Sequence, residues 1–222
     1  MKQVHIIQML MAVVMVLTLG SCSSDDLSEV ENQNDKQTVK MKFVGKVIGF
    51  DQQSSSKAKV QTRATSSSWN DGDKIYITFF NGSTIVPGEA TYNSASGWSV
   101  SYDGNLAIGS NLKCEARYFV NATFYSSSLV SLKSKSEIYE DLNATYAYSN
   151  GSLTVTATLS PKTGRIRFTG KSGEKIYTTG ISVYTTFAPA INTFSTSNAM
   201  ITSTVASNGS TPYIYGCFTD ND

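Results

Sequence analysis

Histidine is almost absent from this sequence, because His5 is the only one and it lies near the N-terminus. Proline, cysteine and charged residues are also scarce, and the formal net charge is +1. The lack of histidine excludes Ser/His/Asp and Cys/His catalytic sites and histidine-ligated zinc from the rest of the chain. A net charge near zero gives no electrostatic reason to expect a nucleic acid as partner. The residue inventory therefore favours a protein that is neither an enzyme of these classes nor a nucleic-acid binder.

Carboxylate chemistry is the class that the inventory leaves open. Acidic pairs occur near turns or at the end of the chain, at Asp71 and Asp73, at Glu140 and Asp141, and at Asp220 and Asp222. None of them lies in an apolar pattern that would raise a carboxyl pKa for acid–base work. Asp71-Gly72-Asp73 offers oxygen ligands for calcium, but a turn explains it, and the further spaced ligands of a calcium loop are missing. We expect no catalysis, no metal and no cofactor.

The N-terminus has the features of an exported lipoprotein. Residues 1–21 combine a positive start, an apolar run and small residues, and Leu-Gly-Ser-Cys ending at Cys22 matches the site at which a cysteine is acylated. The alternative is an ordinary cleaved signal with a chance cysteine. Residues 22–37 are acidic and poor in apolar side chains, which predicts a solvated tether. We expect a protein anchored by lipid in the outer membrane and displayed at the cell surface or in a fimbrium.

The most informative stretch begins at Trp69, where a large aromatic precedes a polar turn and then a strand. Asn70, Asp71 and Gly72 are turn formers, and Gly72 can adopt a positive φ without steric cost. After the turn, apolar residues alternate from Ile75 onward with a period of two, which predicts a strand with one face in a β-sandwich core. Trp69 is expected to fold back and close the end of that core.

The pattern Trp-x-x-Gly-Asp-x-Ile, here Trp69, Gly72, Asp73 and Ile75, follows a Thr62-Arg63 pair. This arrangement resembles the fimbrillin-like family of pilus subunits and related surface lipoproteins from gut and oral Gram-negative anaerobes. The resemblance implies an all-β protein with two transthyretin-like or Ig-like β-sandwich domains. It implies a non-catalytic, structural or adhesive role in a pilus, with other pilus subunits as partners and host or bacterial surface ligands as further ones.

The resemblance also implies a maturation step at Arg63. In that family an arginine-specific protease removes the lipid and the first strand, and the vacated groove accepts a strand from the next subunit. Cleavage after Arg63 would remove Cys22 together with the strand predicted at residues 38–50. The alternative is that Arg63 is an ordinary loop arginine and the protein keeps its anchor, as accessory members do.

The pattern of strands and turns predicts two domains, at residues 38–150 and 151–222. In the first, a bulge at Gly45 is expected to keep one face of the first strand buried. Alternate residues of a strand at 112–125 are expected to point inward, and residues 126–150 read as a connection. The second domain has about six predicted strands, so it is short, truncated or missing a strand. The segment 211–218 could itself be donated to another subunit.

Two further alternatives remain open. Cys114 and Cys217 lie in an oxidising compartment, and a disulfide between them competes with two small buried side chains. The second function class is a lipid-anchored glycan-binding module. Its aromatic platform for sugars would be formed by Tyr76, Tyr92, Trp98 and Tyr102, although alternating aromatics are more often core.

Overall fold

The described part of the chain folds into β-strands, with one turn of 3-10 helix at Pro189–Ile191. The computed structural model describes residues 36–49, 69–126, 129–132 and 136–217. The strands are β1 Gln37–Val47, β2 Lys74–Asn81, β3 Thr84–Asn93, β4 Gly97–Tyr102, β5 Gly109–Val120, β6 Thr123–Ser126, β7 Leu129–Ser131, β8 Glu137–Asp141, β9 Thr145–Ser149, β10 Ser152–Pro161, β11 Gly164–Ile166, β12 Lys175–Ala188, β13 Thr193–Thr204 and β14 Ile214–Gly216.

The predicted all-β architecture of antiparallel sheets, consistent with a β-sandwich, is confirmed. The expected signal peptide, most of the tether, Cys22 and Arg63 lie outside the described residues. Within the described residues, no helix is long and apolar enough to span a membrane.

The largest sheet has eight strands in the order β1-β4-β3-β2-β5-β8-β10-β9. Because β1 also pairs with β10, the hydrogen-bonded ladder closes on itself around one core. That core consists of alternate residues of the strands, including Ile75, Phe79, Val100 and Val155, each no more than 1 % exposed. The inward face expected for β5 is confirmed, since Cys114, Ala116 and Tyr118 are buried and Leu112 and Val120 pack against the same core.

The position of β10 corrects the predicted domain boundary. β10 begins at Ser152, beyond the boundary drawn at residue 150, yet it pairs with β1, β8 and β9 in the first sheet. Its alternate apolar residues Leu153, Val155 and Leu159 are buried in the core of that sheet. The predicted boundary therefore divides one sheet, which extends to Pro161.

The second sheet has four strands in the order β13-β12-β7-β6, and β11 pairs with β14 beside it. Two of its strands, β6 and β7, come from before residue 150, so the second half of the chain completes its sheet with strands from the first. This explains why the second half alone reads as short of strands. The connection expected at residues 126–150 is also wrong, since it contains β7, β8 and β9.

The two sheets meet through a second apolar cluster. Tyr76, Phe119 and Ile138 project from the first sheet on the side opposite its core, and they pack with Val130 and Phe187 of the second. As a result β2 is buried on both faces, from Ile75 to Phe79. The described residues from Lys36 onward accordingly form one compact unit.

Candidate functional site

The strand β1 occupies a special position, because it pairs with both β4 and β10 and so closes the first sheet. Its residues 37–41 pair antiparallel with β4, and its residues 41–47 pair parallel with β10. Met41 lies at the crossover and is paired with both Trp98 and Leu153. Among the described strands, β1 is the one that pairs with both β4 and β10. We call the space between β4 and β10 that β1 fills the β1 slot.

The side chains of β1 alternate strictly between core and solvent. Met41 and Val47 are buried and Val39 and Phe43 are half-buried against the same core, whereas Lys40, Lys42, Val44 and Lys46 are exposed. The register with β10 is continuous through Gly45, so the predicted bulge is wrong. The alternation needs no bulge, because Gly45 itself takes an inward position and Val47 follows in phase.

Trp69 covers the end of the core beside β1, as the sequence predicted. Its ring lies edge-on to Trp98 and to Tyr118, with centroids 5.1 Å apart in both cases. The Phe43 ring of β1 completes this aromatic cluster, 6.0 Å from Trp69 and 5.8 Å from Trp98. Trp69, the first described residue after the segment that includes Arg63, thus packs against β1.

Both tryptophans of the chain contact Phe43, so they should report on β1 directly. We expect Phe43→Ala to lower the free energy of unfolding by about 2 kcal/mol, because a half-buried ring and its two aromatic contacts are lost. The intrinsic tryptophan fluorescence should shift in the folded state as well. Val44→Ala is the matched control, since Val44 is 42 % exposed. Equal spectra and equal urea midpoints for both variants would contradict this role of Phe43.

The turn before β2 uses both of its aspartates. Gly72 has a φ of +85°, and Asp73 accepts a hydrogen bond from the Asn70 backbone N–H at 2.8 Å. Asp71 accepts one from the backbone N–H of Ser94 at 2.5 Å. The residues of the sequence motif thus have structural roles here, as a cover (Trp69), a turn (Gly72 and Asp73) and a core residue (Ile75). The protein's own donors explain the two carboxylates without a cation.

Comparison with protein-family models, curated proteins and solved structures finds no match to this chain. The fimbrillin-like resemblance therefore remains a prediction from Trp69, Gly72, Asp73 and Ile75 and from the Thr62-Arg63 pair that precedes them.

Cys114 and Cys217 are both free thiols, so the disulfide that the sequence left open is not formed in this structure. Cys114 lies in the core of the first sheet, whereas the backbone N–H of Cys217 bonds to Ser182 in the second. Burial raises the pKa of Cys114 to about 12, with the negative charges of Asp141 and Glu115 adding to the effect.

We expect iodoacetamide to modify Cys217 before Cys114 in the folded protein, since Cys217 is only half-buried. Cys114 should react at least about 100-fold faster once urea unfolds the chain, because its thiolate then becomes both exposed and populated. Peptide mapping by mass spectrometry measures both rates. A linked peptide containing Cys114 and Cys217 under non-reducing conditions would contradict the structure.

The aromatic platform proposed for sugars does not exist on the surface. Tyr76, Trp98 and Tyr102 are at most 7 % exposed, and Tyr92 is half-buried against Trp98. Tyr76 faces the second sheet, whereas Trp98 and Tyr102 belong to the core of the first. The alternative interpretation of these residues as core is therefore correct.

Sequence reasoning missed a buried polar cluster around Arg117. Its guanidinium donates to Glu115 at 2.8 Å and to the Asn192 side-chain oxygen at 2.6 Å. Its Nε lies 3.5 Å from a carboxylate oxygen of Glu140. Asn192 follows the 3-10 turn with a φ of 53°, a left-handed conformation that asparagine tolerates. The cluster therefore fastens the β12–β13 hairpin to the first sheet.

One signal for this cluster was present in the sequence. Glu115 and Arg117 occupy alternate positions of β5, on the face opposite Cys114 and Ala116. Opposite charges at this spacing on a long strand are neighbours on one face. What the sequence did not show is that this face is covered, which leaves Arg117 only 4 % exposed.

Proposed function

We propose that this chain is a non-catalytic cell-surface lipoprotein, a fimbrillin-like structural or adhesive pilus component that assembles by β-strand addition. The observation that carries the proposal is the position of β1. It is the first described strand, it pairs with β4 through residues 37–41 and with β10 through residues 41–47, and the segment that follows it contains Arg63. Removing it would expose two ladders and part of the core at once.

The energetics of β1 support replacement rather than simple loss. Two buried apolar side chains at ~1.5–3 kcal/mol each, and three half-buried ones (Val39, Phe43 and Ile48) at about half that, amount to roughly 8 kcal/mol gross. A domain with an ordinary free energy of unfolding, ~5–15 kcal/mol, would lose most of it without this strand. A strand from another subunit would restore both the ladder and the apolar contacts.

The remaining parts of the proposal rest on the sequence. Acylation at Cys22 would anchor the precursor in the outer membrane, and the acidic tether would hold the folded unit away from the lipid. Cleavage after Arg63 would then separate the anchor and β1 from the rest. An uncut chain would instead remain as an anchored or accessory subunit.

The test is to treat the purified full chain with an arginine-specific protease and to follow its size on native gels. We expect a new N-terminus at Ala64 and a concentration-dependent ladder of oligomers after β1 has left. Arg63→Ala is the matched control and should remain uncut there and monomeric. A chain that is cut after Arg63, loses β1 and still stays monomeric at every concentration would refute assembly by strand addition.

A glycan-binding module remains the second candidate, at a cavity that Tyr76 and Tyr102 help to line although both are almost fully buried. A cavity of about 280 Å³ lies between β3, β4 and the 3-10 turn, with Glu89, Ser101 and Asp103 in its lining. One carboxylate oxygen of Asp103 is buried there without a hydrogen-bond partner. Sugar hydroxyls are donors that could satisfy it. Calorimetric titration with monosaccharides, with Asp103→Asn as control, tests this candidate, and absence of heat for all sugars would discard it.

A further inference from the structure

Gly45 is the position of β1 at which the slot has no room for a side chain. A Cβ atom built there would lie 2.1 Å from the carbonyl oxygen of Ala157 and 3.0 Å from the Phe43 ring. The first of these contacts is with backbone, which cannot rotate away as the end of a long side chain can. Gly45 is paired with Ala157 in the parallel ladder, so the close approach belongs to the pairing itself.

The carbonyl of Ala157 has little freedom to move aside. β10 is paired with β9 before this residue and with β8 after it, so its backbone is held on the side away from β1. The Ala157 side chain is 3 % exposed and packs in the core of the first sheet. Making space for a Cβ would therefore push β10 out of its own ladders, at the cost typical of an overpacked core.

The other positions of the slot are less demanding. Lys40, Lys42 and Lys46 point to solvent, and Val44 is 42 % exposed, so many side chains would fit there. Inward positions such as Met41 require an apolar residue, which most β-strands can supply. Among the described positions of β1, Gly45 thus stands out as the one that only a single residue type can fill without displacing backbone.

We propose that the β1 slot selects incoming strands that carry glycine at the position of Gly45. This inference rests on the proposed assembly by strand addition and specifies its ligand, a strand with apolar residues at alternate positions and glycine opposite Ala157. The same contact fixes the register, because a slip by one residue would place the side chain of Val44 or Lys46 against the Ala157 carbonyl.

The test uses the full chain with a specific protease site inserted between residues 51 and 68. The chain is cut after folding and offered labelled peptides that match residues 37–49. We expect the unchanged peptide to replace β1, which is measured as label that stays bound to the protein after gel filtration. The peptide with Gly45→Ala should bind about 10- to 100-fold more weakly. The peptide with Val44→Ala, the matched control, should bind within about threefold of the unchanged one.

The outcomes separate the two proposals. Equal binding of the unchanged and Gly45→Ala peptides would overturn the glycine requirement and leave strand exchange standing. Failure of every peptide to replace β1, in a chain that remains folded after the cut, would overturn both. Gly45→Ala in the uncut chain gives a second measurement, since an unchanged urea midpoint there would refute the close contact independently of any exchange.

Discussion

A chain that lacks residues 1–49 is expected to lose its cooperative folded state. The deletion removes β1, and with it the buried side chains of Met41 and Val47 and the ladders to β4 and β10. The loss of roughly 8 kcal/mol of gross apolar burial is comparable to the whole stability of an ordinary domain. Near-ultraviolet circular dichroism and urea unfolding should show weak tertiary signals and no sharp transition.

Adding back a peptide of residues 37–49 should restore the transition, because the slot is then filled in trans. Deleting residues 22–35 is the control, since the composition of this tether predicts a solvated segment that contributes no core. A chain without β1 that unfolds at the same urea concentration as the full chain would show that β1 is dispensable. The slot would then have no reason to accept another strand.

The local features of this fold were readable from the sequence. The turn at Gly72, the cover formed by Trp69 and the inward face of β5 each depend on a few neighbouring residues. Their turn chemistry and period-two alternation act within one strand or one turn. The β1 slot was predicted only in part, since the sequence predicts a first strand but not that β4 and β10 are its partners.

The features that the sequence did not show depend on distant pairing. β1 and β10 are parallel neighbours although more than one hundred residues separate Met41 from Leu153. Nothing in either strand's alternation specifies that partner, so the boundary at residue 150 divided their sheet. The bulge expected at Gly45 failed for a related reason. A glycine in a strand predicts either a bulge or a close backbone approach, and only the partner strand decides between them.

The second large effect is expected at Arg117. Arg117→Ala should lower the free energy of unfolding by about 3–5 kcal/mol at neutral pH, because it leaves the largely buried carboxylate of Glu115 without its ion-pair partner, whereas Glu140 keeps Lys162 at 2.8 Å. The side chain of Arg117 is 5 % exposed and that of Glu115 is 14 % exposed, so water cannot easily replace the lost partner. Asn192 would also lose a donor, which should loosen the β12–β13 hairpin from the first sheet.

The pH dependence distinguishes this electrostatic role from lost packing against Phe187 and Phe194, over whose rings the guanidinium lies. Burial alone would raise the pKa of Glu115, but hydrogen bonds from Asn192 and Arg117 and the charge of Arg117 hold it below its usual 4.5. A depressed folded-state pKa gives stability above the unfolded value that is lost as the pH falls through the folded one. The difference in free energy of unfolding between the wild type and Arg117→Ala should therefore become smaller below about pH 4.5.

Urea unfolding at pH 7 and at pH 4 measures the difference in free energy of unfolding at each pH. Lys46→Ala is the control for removing an exposed cation. Adding Glu115→Gln to Arg117→Ala should recover part of the lost stability, because the carboxylate without an ion-pair partner is then replaced by a neutral amide. An equal difference in free energy of unfolding at both pH values, with no recovery in the double variant, would assign the effect to packing alone. In that case the cation–π contacts with the two phenylalanines, and not the ion pairs, would hold the second sheet against the first.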